Sequence, residues 1–168
     1  MRSTPVLRLL AVFALAFAAE AARAEMPAAI AAPDATPVVT LHAEGAQLYE
    51  CKTAADGKLA WVFREPIATL ILDGQTVGRH YAGPTWEHMG GSAVTGKFLA
   101  SSPGATANDI PWLKLEVASR RGRGLLADID IIQRINTAGG VLHGACDQAG
   151  ALRSVPYSAD YVFLRKGG

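Results

Sequence analysis

From Val38 onward the apolar residues of this chain recur at every second position. No window of helical length places them on one helical face. A period of two belongs to strands with one buried face and one wet face. In IPWLKLEVAS, Leu113, Leu115 and Val117 alternate with Trp112, Lys114 and Glu116. In VVTLHAEGAQLYEC, Gln47, Tyr49 and Cys51 alternate with Leu48 and Glu50. LAWVF sets Leu59, Trp61 and Phe63 on one side, and YSADYVFLRK is a last alternating run. Turn formers separate these runs: Asp56-Gly57, Asp73-Gly74, Gly83-Pro84, Met89-Gly90-Gly91-Ser92 and RRGRG. Pro66 is expected to end the strand that holds LAWVF, and ATLIL beyond it reads as a buried strand or a short helix. LLADIDIIQRIN reads as a strand because isoleucine crowds it, and Gly139-Gly140 is expected to close a hairpin. The pattern predicts an all-β fold: a single-domain β-sandwich or small β-barrel of about eight short strands.

The first 24 residues break this pattern and read as an export signal. Arg2 and Arg8 supply a positive start, and leucines, valine and phenylalanines supply a short apolar stretch. Ala22-Arg23-Ala24 offers small residues where a signal peptidase reads them. The apolar run is too short for the ~20 residues of a membrane span, so none is expected once the signal is removed. Residues 25–37, EMPAAIAAPDATP, read as a flexible Ala/Pro-rich leader, and residues 38–165 as the β domain. The expected location is periplasmic or secreted. The full chain has 16 basic and 15 acidic residues; losing Arg2, Arg8, Arg23 and Glu20 leaves 13 and 14. A surface so near neutrality argues against nucleic acid as a partner.

Cys51 and Cys146 both remain after cleavage, 95 positions apart. In an oxidising compartment two such residues are most simply one disulfide, with two buried thiols as the alternative. Chemistry concentrates in Gly78-Arg79-His80-Tyr81-Ala82-Gly83-Pro84-Thr85-Trp86-Glu87-His88. His80, His88 and Glu87 are ligand types for zinc or copper, but no H-x-H or H-E-x-x-H spacing joins them, and no metal or other cofactor is implied. His80 with Glu87 could do acid-base work if folding brought them together. Alternatively, His80 bonds a backbone group under the Gly-Pro turn while Trp86 fills core. Arg134 lies in apolar surroundings and would need a carboxylate such as Glu87 or Asp160 if buried. Asp128 and Asp130 would share one face of a strand, and Arg120-Arg121-Gly122-Arg123 reads as a charged hairpin tip. There is no G-x-S-x-G elbow and no phosphate-binding glycine loop.

The ordered set GAQLYEC, LAWVFREPIATL, GRHYAGPTWEHMGGSAVTG, IPWLKLEVA, IIQRINTAGG and YSADYVF resembles the DUF3455 family, secreted or periplasmic proteins of unknown function. The resemblance runs from about Gly45 to Phe163. It implies a shared fold and names no activity, so no catalytic residue is carried over. The expected function is binding of a small polar or carbohydrate ligand by His80, Tyr81, Trp86, Glu87 and Arg134. The alternatives are a metal-dependent or acid-base hydrolase at His80 and Glu87, and a structural envelope protein.

Overall fold

The computed structural model describes residues 26–167, so the export segment, residues 1–24, lies outside the described residues. Eight strands follow one short 3-10 helix, Ala28–Ile30. They are β1 (Ala35–Thr53), β2 (Leu59–Leu72), β3 (Gln75–Tyr81), β4 (Thr85–His88), β5 (Ala93–Ser102), β6 (Trp112–Arg121), β7 (Ile131–Gly139) and β8 (Leu152–Lys166). Each pairs antiparallel with the next, and β8 returns to β1, closing the sheet into a barrel. Closure removes the unpaired edges an open sheet would expose.

The alternation read from the sequence becomes the inside and outside of this barrel. Leu41, Ala43, Leu70, Trp86, Leu115, Ile132, Ala159, Tyr161 and Phe163 form the interior. Between them, Glu44, Thr69, Arg79 and Lys97 face solvent. No helix among the described residues is long and apolar enough to cross a membrane. The turn at Asp73-Gly74 has φ of 50° and 75°, the left-handed pair that a two-residue hairpin turn demands.

Several local expectations are corrected. Pro66 does not end β2: it pairs with Gln47 of β1, while β3 meets β2 only at Ala68–Leu72. At Pro66 β2 has a single neighbour, as an edge strand does, and edge strands are where a strand proline is tolerated. Leu125–Asp128 is a turn, not part of a strand. Leu126 and Ile129 instead join the interior cluster, and Ser92 Oγ accepts the Leu126 N–H at 3.1 Å. Asp128 and Asp130 consequently share no strand face; Asp130 pairs with Arg120 at 2.6 Å and accepts Lys166 N–H at 2.9 Å. Gly139-Gly140 closes no hairpin, because a longer connection carrying Cys146 leads to β8. That connection is held to β1 by the Cys51–Cys146 disulfide and by Cys51 N–H to Ala151 O, 2.9 Å. The leader is also not free of structure. Ile30 is fully buried, Gln133 donates to its carbonyl at 2.7 Å, and β1 starts at Ala35 rather than near Val38. The segment covers Ile131, Val162 and Leu164, apolar residues at outward positions of β7 and β8.

The strands are unequal, and this shapes one end of the barrel. β2 has 14 residues and β5 has 10, but β3 has 7 and β4 only 4. The β3–β4 hairpin therefore reaches β2 only at Ala68–Leu72 and β5 only at Ala93–Thr95. Beyond it, the wall between β2 and β5 is left unclosed.

Candidate functional site

A cavity of about 310 Å³ opens at this gap. Its floor includes His80, Trp86 and Tyr161, which pack on one another: His80 and Trp86 stack at 4.3 Å with 9° between planes, and Tyr161 meets both edge-on at 5.0 and 5.1 Å. Phe63 of β2, Phe98 of β5, and Leu113 and Leu115 of β6 supply apolar wall. Gln47 of β1 and Arg134 of β7 supply polar groups. Phe63 and Phe98 are 49 % and 58 % exposed. They flank a wall that β3 and β4 are too short to complete.

The β3–β4 register decides which candidate residues reach the cavity. His80 pairs with Trp86, and Arg79 with Glu87. Neighbouring strand residues point to opposite faces, so His80 and Trp86 turn inward while Arg79, Tyr81 and Glu87 turn outward. On the outer face, Glu87 Oε2 accepts from Tyr81 at 2.7 Å, Arg121 at 3.0 Å and Arg79 at 3.1 Å. Those three donors hold its carboxyl down at about 2, Tyr81 contributing most. A carboxylate ionised at every ordinary pH is no general acid. The structure therefore separates the proposed His80–Glu87 pair. Among the described residues, no group of three or more His, Cys, Asp or Glu assembles that could hold a metal ion.

His80 is 3 % exposed and its Nδ1–H donates to Thr85 O at 2.9 Å. That bond fixes the tautomer and leaves Nε2 as the ring's acceptor. Burial pushes its pKa down to about 3, against the pull of the Thr85 carbonyl, and the Arg134 charge lowers it further. Protons therefore bind the unfolded chain first as pH falls through about 6.5. Stability is full above that value and drains away down to about pH 3, at about 1.4 kcal/mol per pH unit. Thermal melts from about pH 7 to pH 4 are expected to show this slope, and His80→Gln to flatten it; equal slopes in the two proteins would refute the assignment.

Arg134 finds neither of the carboxylates expected for it. Glu87 is held by Arg79 and Arg121, and Asp160 by His42 at 2.8 Å and Asn136 at 2.8 Å. Instead, Nε and Nη2 of Arg134 donate to Pro111 O at 3.0 and 2.8 Å. Of the five residues expected to bind ligand, His80, Trp86 and Arg134 meet in the cavity, whereas Tyr81 and Glu87 do not. Gln47, Phe63, Phe98 and Leu113 are lining residues that the sequence pattern does not single out. One signal for Gln47 was present: it shares the face of Tyr49 and Cys51, an amide where the alternation calls for an apolar side chain.

The model of the family described as proteins of unknown function, DUF3455, matches residues 31–75 and 71–165. The chain belongs to the DUF3455 family. No curated protein and no solved structure matches it. In this DUF3455 protein the matched span takes in every strand but the outermost residue of β8, and all residues of the cavity named above.

Proposed function

We propose that this DUF3455 protein is an exported binding protein that takes a small amphipathic molecule into the unclosed end of its barrel. One observation carries the reading: two phenylalanines, Phe63 and Phe98, stand uncovered beside a cavity whose floor is aromatic. Mostly apolar walls with a few polar groups are the usual make-up of a small-molecule site. The same walls suit an apolar body with one polar group better than a glycan, whose hydroxyls would lose water for few partners. The disulfide supports an oxidising compartment, and therefore export.

The neutral fluorophore N-phenyl-1-naphthylamine serves as probe. Its emission is expected to rise on binding the wild type, and the double variant Phe63→Ser/Phe98→Ser to bind it at least tenfold more weakly. Because both rings are largely exposed, the unfolding midpoint should move by less than about 2 °C. Undiminished affinity in the double variant would defeat the reading.

A further inference from the structure

We infer that the molecule held in this cavity is a small monocarboxylate, its head at Arg134 and Gln47 and its apolar body between Phe63 and Phe98. The inference rests on the binding reading above and adds the chemistry of the head. Arg134 occupies an inward position of β7, paired across the sheet with Leu113 and Tyr161. Arg134 is half-buried, and its guanidinium at the wall of an apolar cavity presents a planar fork suited to a carboxylate. None of the ion pairs among the described residues includes Arg134. It donates to the Pro111 carbonyl and bonds the Tyr161 hydroxyl, neutral groups that orient the planar fork without neutralising it.

Gln47 makes the second, independent point. Its side chain is 3 % exposed, lines the same cavity, and has an Nε2 with no acceptor. The indole Nε1 of Trp86, also lining the cavity, is buried without an acceptor. A buried donor left unpaired is costly, and these two donors without acceptors, beside a guanidinium with no anionic partner, call for a group that only accepts. An ionised carboxylate is such a group, and its two oxygens match the planar fork of an arginine. Nε2 of His80, an acceptor, disfavours the anion near the floor and so leaves the head to Gln47 and Arg134. A cavity of about 310 Å³ lies at the small end of ligand sites, which sets the body at a short chain or a single ring.

The test compares octanoate with octan-1-ol, which share an apolar chain and differ in the head, and with maltose as a neutral glycan. Titration calorimetry at neutral pH is expected to show octanoate binding the wild type at least tenfold more tightly than octan-1-ol. Gln47→Leu should weaken octanoate about fivefold and leave octan-1-ol unchanged. Arg134→Gln should abolish the preference, and Arg134→Lys, which keeps the charge but not the fork, should retain part of it. If loss of the Pro111 contact unfolds the arginine variants, the wild-type comparison and Gln47→Leu still decide. Equal or tighter binding of octan-1-ol, or tighter binding of maltose, overturns the carboxylate while leaving the binding reading intact. Failure of all three compounds to bind, together with an unchanged fluorophore affinity in the Phe63→Ser/Phe98→Ser protein, defeats both.

Discussion

Replacing Trp86 with alanine is expected to lower the unfolding midpoint by about 10–15 °C, the largest effect of any single truncation in this barrel. The indole is 1 % exposed and is the hub of the interior aromatic cluster. It stacks on His80, meets Tyr161 edge-on, and reaches Phe163 at 6.3 Å. Gly96 on β5 makes room for it: a Cβ there would lie 3.1 Å from Trp86 Cζ3 and 3.0 Å from Leu115 Cδ2. Truncating a buried tryptophan costs about 3–5 kcal/mol, and each kcal/mol moves the midpoint of a domain this size by about 2–4 °C. Trp61 is the control. It is half-buried, lies on β2 and is covered by Arg153 at 5.5 Å, so Trp61→Ala should cost clearly less. Calorimetric melts of the two variants decide the ranking, and a Trp86→Ala midpoint within about 3 °C of wild type would remove the aromatic floor from the account.

Reduction of the disulfide is the second large effect. Cys51 and Cys146 close a loop across 95 positions. A cross-link of that span removes much of the freedom of the unfolded chain, and its loss typically costs about 2–5 kcal/mol. The expected fall in midpoint is roughly 5–15 °C with a phosphine reductant present. Cys51→Ser/Cys146→Ser should melt where the reduced wild type melts. A purified protein with two titratable thiols and a midpoint indifferent to reductant would contradict both the bond and its role.

The barrel was legible because its rule is local. Alternation within a strand states which residues share a face, and Asp73-Gly74 states where a left-handed two-residue turn must lie. What escaped depends on partners distant in sequence. Pro66 looks like a strand end until it is seen that β3 never reaches it. EMPAAIAAPDATP looks structureless until Ala32 and Ala35 find the outward apolar face of β7 and β8 to cover. Leu126 and Ile129 have the composition of a strand but lie in and just after a turn, and both pack into the interior.

The candidate site was half legible for the same reason. Proximity along the chain joined His80 to Glu87, but the β3–β4 register sends them to opposite faces. His80 and Trp86 share a face because they pair across that hairpin, which no spacing rule states in advance. Gln47, Phe63, Phe98 and Arg134 come from four other strands, and only barrel closure brings them around one cavity. The feature that creates the cavity is a difference in strand length, 4 residues in β4 against 14 in β2. Strand ends are the least certain part of a pattern read from alternation alone.

The most direct test of the account is a crystal structure of the mature protein grown with octanoate. The octanoate chain is expected between Phe63 and Phe98, with the carboxylate oxygens within hydrogen-bond distance of Arg134 and Gln47. A cavity collapsed by inward rotation of the two phenylalanines, with octanoate absent or bound elsewhere on the surface, would contradict it.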